Sequence, residues 1–129
     1  MPSTVRVLVV DDDMDNRESM AELLALWGYN VRMAADGLAA LEAVGEWSPD
    51  VTLMDLSMPR MDGFQAAQRI RASFPAVLLV ALSGFASGPR LTRAYECGFR
   101  HVLSKPCDTR LLREILSGVI AAKKASRVG

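Results

Sequence analysis

The stretch Val5–Asn16, VRVLVVDDDMDN, decides how the rest of the chain is read. Apart from Arg6 its first six residues are aliphatic, and a short apolar run without polar alternation is the pattern of a strand covered on both faces. The run stops on three adjacent carboxylates, Asp11, Asp12 and Asp13. Like charges crowded together raise one another's pKa and repel, so the triplet is unfavourable unless a cap, water or a cation relieves it.

Four further apolar runs of strand length follow, at Val31–Ala34, Val51–Met54, Val77–Leu82 and His101–Leu103. Helical patterns alternate with them. With Asp13 as N-cap, Met20, Leu23, Leu24 and Trp27 recur at helical spacing and Gly28 is the stop. A second helix opens at Asp36 with Leu38, Leu41 and Val44 on one face. A third follows Asp62 with Phe64, Ala67, Ile70 and Phe74. A fourth runs from Pro89 to Glu96 ahead of Gly98, and a fifth starts near Asp108 with Leu111, Leu112, Ile115, Leu116 and Val119. Five strand–helix alternations imply right-handed crossovers and an α/β, doubly wound (βα)5 parallel sheet. The tail after Ile120 has no apolar period and is expected to fray.

At 129 residues the chain is about one domain long, and residues 1–129 are read as a single domain with its core in residues 5–120. Its 15 basic and 15 acidic residues cancel, so charge points neither to nucleic acid nor to a membrane surface. Cys97 and Cys107 form no ligand or redox motif and read as reduced thiols. The amino terminus lacks the features of a signal peptide, and no segment approaches the ~20 apolar residues of a membrane span. A cytoplasmic protein is expected.

In an open parallel sheet, function collects at the carboxyl ends of the strands. Asp11 and Asp12 follow the first strand, Asp55 the third, Ser83 the fourth and Lys105 the fifth. Taken singly, each has an ordinary explanation as a cap, a turn residue or a solvated lysine. Their coincidence at successive strand ends outweighs those explanations.

The motifs VLVVDDD, DLSMPRMDGF, ALSG and LSKP, in this order and spacing, resemble the receiver domains of response regulators from Val5 to about Val119. The resemblance implies a flavodoxin-like sheet of order 2-1-3-4-5 and a two-component or phosphorelay signalling function without turnover of an external substrate. It implies Asp55 as phosphoacceptor, Asp12 as a direct Mg²⁺ ligand, Asp11 as a ligand acting mainly through water, and the backbone carbonyl of Ser57 as a further ligand. Ser83 and Lys105 match the hydroxyl and ammonium that bind phosphoryl oxygens. The implied partners are a sensor histidine kinase or phosphotransfer protein and a downstream protein received on helix four, strand five and helix five; a transient homodimer is also allowed. Neither nucleic acid nor membrane insertion is implied.

Asp13 then belongs to the helix cap rather than to the metal site. Gly84 leaves the approach to the acid pocket open. Ser57 and Phe85 lack a carboxylate or amide to orient hydrolytic water, which predicts slow loss of the phosphoryl group. The family usually has an aromatic residue three positions before the lysine; here it is Val102, too short and stiff for the usual rotation, and Phe85 is the candidate substitute. His101 lacks a second ligand and reads as structural. Two other functions compete: a receiver-like binding module that works unphosphorylated, and a phosphohydrolase with an aspartate nucleophile. Retention of all five polar residues opposes the first. The sequence LSMP after Asp55 opposes the second, because no acid stands two residues on to protonate a leaving group. The second half of the chain resembles receivers fused to hybrid sensor kinases, whereas Met1 lies close to the first strand as in a stand-alone regulator.

Overall fold

Side chains along a strand alternate between the faces of its sheet. In β1 (Arg6–Val10) this sends Val7 and Val9 to one side and Leu8 and Val10 to the other, and all four are buried. β1 therefore lies inside the sheet, as its unbroken apolar sequence requires. The computed structural model describes residues 5–56, 63–84 and 87–128, with side chains up to residue 125. Asp62, expected to cap the third helix, lies outside the described residues, as do Ser57, Met58, Met61 and Phe85.

After β1 come α1 (Met14–Leu26), β2 (Asn30–Ala34), α2 (Gly37–Trp47), β3 (Val51–Asp55) and α3 (Gly63–Ser73). They are followed by β4 (Leu78–Ser83), α4 (Gly88–Glu96), β5 (His101–Ser104) and α5 (Thr109–Val128). All neighbouring strands pair in parallel in the order β2-β1-β3-β4-β5, the flavodoxin-like arrangement. One apolar layer joins Val7, Val9, Leu53, Val80 and Leu103 to Leu24 of α1 and to Leu112 and Leu116 of α5. The other joins Leu8, Val10, Met54 and Ala81 to α2, α3 and α4.

The caps follow local chemistry. Asp13 accepts from the Asn16 amide at 3.0 Å and Asp36 from the Ala39 amide at 2.8 Å. Gly28 ends the first helical segment with φ +95°, a conformation open to glycine at little steric cost.

Two sequence expectations are corrected. Leu38 is exposed rather than on the buried face of α2, because Gly37, Ala40 and Val44 face the core. Their i, i+3, i+7 row brings the helix close to the sheet through small residues and turns Leu38 outward. Leu111 is likewise exposed, while Leu112 and Leu116 form the buried row of α5. α5 continues past Ile120 to Val128. Its extension carries good helix formers, and Lys123 Nζ meets Asp50 Oδ2 at 2.9 Å, tying it to the turn before β3.

Candidate functional site

Parallel register gathers the polar strand ends. Val10 pairs with Met54, Asp55 with Leu82 and Ser83 with Ser104, so Asp11, Asp55, Ser83 and Lys105 share one rim. The Lys105 amide donates to the Ser83 carbonyl at 2.9 Å, and the Leu56 amide to the Leu82 carbonyl at 3.1 Å. The ladder thus continues past the last regular pairs and holds the site from behind.

The three opening carboxylates divide by environment. Asp11 is 6% exposed, and its Oδ1 accepts the Asp13 amide at 2.9 Å. Asp12 is exposed, and Asp13 is occupied by its cap. Asp55 is 4% exposed and Ser83 1%. One carboxylate oxygen from each of Asp11, Asp12 and Asp55 falls within 4.8 Å of the others.

The charge relief that the triplet requires comes in part from Lys105, whose Nζ sits 2.9 Å from Asp55 Oδ2. Burial pushes the Lys105 ammonium down, but the hydrogen bond and charge of Asp55, with Asp11 and Asp12 behind, outweigh it and hold its pKa above the ordinary value. Burial pushes Asp11 up, opposed by the Asp13 amide; Asp55 raises it, Lys105 lowers it and Asp12 raises it, leaving a pKa above the usual carboxylate value. A closely packed acid cluster against one ammonium is a site prepared for added positive charge.

Gly84 is exposed at the rim, and a Cβ built there would meet no atom within 4 Å. Val102 is half-buried against the α2–α3–α4 layer. Beside the acids, a cavity of about 430 Å³ lies against α1 and the turn after β5, lined among others by Met20, Leu23, Pro106 and Cys107. Burial and then Asp108 push the Cys107 thiol up, away from a reactive thiolate.

Two features are absent from the sequence reading. Arg17 Nη1 donates to the Asp11 carbonyl at 2.8 Å, bracing the backbone of a site residue; a lone arginine among acids in the first turns of α1 was the available signal. On the opposite side, Arg93 and Arg90 of α4 stand 4.3 and 5.4 Å from the centre of the Phe64 ring in α3. No local pattern announces that cation–π cluster, whose members lie in different helices.

A flavodoxin-like sheet with this carboxylate rim defines a narrow class of protein. The chain belongs to the response regulator receiver domain family, whose model matches residues 7–117. It is 36% identical over 117 residues to the transcriptional regulatory protein ZraR of Salmonella typhimurium, covering 91% of this chain and 26% of that protein. Against the response regulator MprA of Mycobacterium ulcerans the identity is 32% over 125 residues, covering 97% of this chain and 53% of the relative. A sensor histidine kinase, RcsC of Salmonella typhimurium, is 35% identical over 111 residues, 86% of this chain and 12% of the kinase. The chain therefore spans about half of these relatives' length or less. Among solved structures, the N-terminal domain of an uncharacterized protein from Wolinella succinogenes superposes with a TM-score of 0.89 at 28% identity, covering 95% of this chain and 99% of that one. The chemotaxis protein CheY4 of Vibrio cholerae gives 0.84 at 28% identity, with 91% and 99% covered. Among the described residues, no helix is long and apolar enough to cross a membrane.

Proposed function

We propose that this domain accepts a phosphoryl group on Asp55 from a phosphohistidine of a sensor histidine kinase or phosphotransfer protein. The observation that carries this reading is the convergence on Asp55 of an ammonium at 2.9 Å and of two further carboxylates with oxygens within 4.8 Å. An Asp55 carboxylate oxygen attacks phosphorus in line with the imidazole nitrogen. The O–P bond forms as the N–P bond breaks, and the departing imidazole takes a proton from solvent. Lys105 exchanges its contact with Asp55 for a phosphoryl oxygen, and Ser83 donates to another. Such positioning and charge neutralisation supply most of what phosphoryl transfer needs from a protein. Water later attacks phosphorus, its protons leave with inorganic phosphate, and the Asp55 carboxylate is restored.

The donor set fits Mg²⁺, a hard cation that prefers oxygen ligands and retains water. Asp11, Asp12 and Asp55, with the Ser57 carbonyl implied by the family resemblance, would hold it. The ion when bound supplies positive charge against the phosphoryl oxygens. In this reading the domain is cytoplasmic and signals to a downstream protein through α4, β5 and α5, rather than turning over an external substrate.

The test is incubation with Mg²⁺ and acetyl phosphate, followed by intact-mass analysis. A single phosphoryl adduct is expected in the parent and none in Asp55→Ala. An adduct that persists in the Ala variant refutes the assignment.

A further inference from the structure

Gly63, the first residue of α3, stands against the end of β3. A Cβ built on it would lie 2.9 Å from the Asp55 carbonyl oxygen, 3.0 Å from Leu56 Cα and 3.0 Å from Leu56 Cδ2. Two of those atoms are backbone, so no rotamer change removes the overlap. The requirement at Gly63 is one of space. We propose that Gly63 is a positioning residue for the phosphoacceptor: the missing side chain lets α3 seat directly on the Asp55–Leu56 backbone and so sets where the Asp55 carboxylate stands relative to Lys105. This rests on the reading of Asp55 given above.

Which partner would yield to an added methyl group follows from what holds each. Behind Gly63, α3 is fixed by fully buried Ala66, Ala67 and Ile70 and by Phe64, on whose ring Arg90 and Arg93 of α4 rest. The body of β3 is paired with strands on both sides, but the β1 register stops at Val10–Met54, whereas the β4 register continues to Asp55–Leu82. Pairing runs out at this strand end, whereas α3 is held along its whole buried face, so the strand end is the softer partner. A Cβ at position 63 moves Asp55 and Leu56 and lengthens the 2.9 Å contact to Lys105. Misplacing a nucleophile by about 1 Å can cost as much as ~100-fold in rate.

The experiment compares the parent with Gly63→Ala, Gly63→Ala/Phe64→Leu and Gly118→Ala. The last is a control, since a Cβ at helical Gly118 meets no atom within 4 Å. In Gly63→Ala, labelling by acetyl phosphate at saturating Mg²⁺ is expected to slow by about 10-fold or more. Amide shifts in the unphosphorylated protein are expected at residues 55, 56, 82 and 105. Removing the ring that pins α3 in the double variant lets the helix recoil and recovers part of the rate, which a merely destabilised protein would not do. Gly118→Ala behaves as the parent. Labelling of Gly63→Ala within two-fold of the parent, amide shifts confined to α3, or a double variant slower than the single one would overturn the inference. So would failure of Gly63→Ala to fold, which would make the glycine a folding requirement. If the parent itself takes no label, the phosphoacceptor reading fails separately, and the amide shifts alone decide whether Gly63 positions Asp55.

Discussion

Replacing Asp11 with Asn is expected to stabilise the metal-free protein and to weaken its response to Mg²⁺. Asp11 is buried, with a carboxylate oxygen within 4.8 Å of oxygens from Asp12 and Asp55. At that distance two unit charges repel by about 3.5 kcal/mol at an effective dielectric of ~20 and by about 0.9 kcal/mol in water. The larger figure suits the pair with buried Asp55 and the smaller one the pair with exposed Asp12. Lys105 attracts Asp11 and offsets part of this, with a smaller effect on Asp11 than that of Asp55. Asn retains an oxygen for the Asp13 amide, so the net gain is about 1–2 kcal/mol, or about 4–8 °C in melting temperature for a domain of this size. The gain depends on pH in a definite direction. The Asp11 pKa lies above its ordinary 3.8 in the folded chain, so the native state binds more protons than the unfolded state in the window above that value. Parental stability contributed by this group is therefore lost as pH rises through the window. The Asn variant lacks that slope, and its advantage grows with pH until Asp11 is ionised in the folded parent. Mg²⁺ at a hundred times the parent's Kd would add about 2.7 kcal/mol to the parent and less to the variant, narrowing or reversing the order. Thermal melts of both proteins across pH, with and without Mg²⁺, are the assay. The reasoning fails if Asp11→Asn melts below the parent without metal, or if Mg²⁺ stabilises both equally.

Thr52 is fully buried in β3, and its Oγ1 has no hydrogen-bond partner among the described residues; Thr52→Val is expected to raise stability by about 1 kcal/mol in urea melts, and a loss would contradict this. Asp13→Ala removes the 3.0 Å cap on the Asn16 amide and is expected to cost about 1 kcal/mol while leaving labelling of Asp55 unchanged. A fall in labelling rate would instead place Asp13 in the site. Val102→Ala is expected to preserve the spectral change in α4 induced by beryllofluoride, with Phe85→Ala diminishing it; abolition by Val102→Ala would refute a switch that works without an aromatic at that position.

What could be read from sequence is what a few neighbouring residues decide among themselves. The Asp13 cap closes over three residues, and Gly28 ends a helix by its own backbone freedom, so both were legible. The apolar run before Asp11 required a doubly covered strand, and the order of four motifs carried the family and with it the strand order. The outcome within the acid triplet was legible only in part. That Asp13 caps follows from spacing, but the burial of Asp11 beside exposed Asp12 depends on how the sheet and α1 enclose the strand end. The faces of α2 and α5 turned differently from the apolar count, because small residues at Gly37 and Ala40 permit an approach that Leu38 does not. Other decisions belong to residues far apart in the chain. Lys105 meets Asp55 across 50 positions and Lys123 meets Asp50 across 73. Only parallel pairing brings such partners together, and only the packed structure reveals that the space for a side chain at Gly63 is already filled by the backbone of Asp55 and Leu56. Periodicity and caps are local free-energy preferences, whereas charge pairing and steric exclusion arise from distances that exist after the sheet has formed.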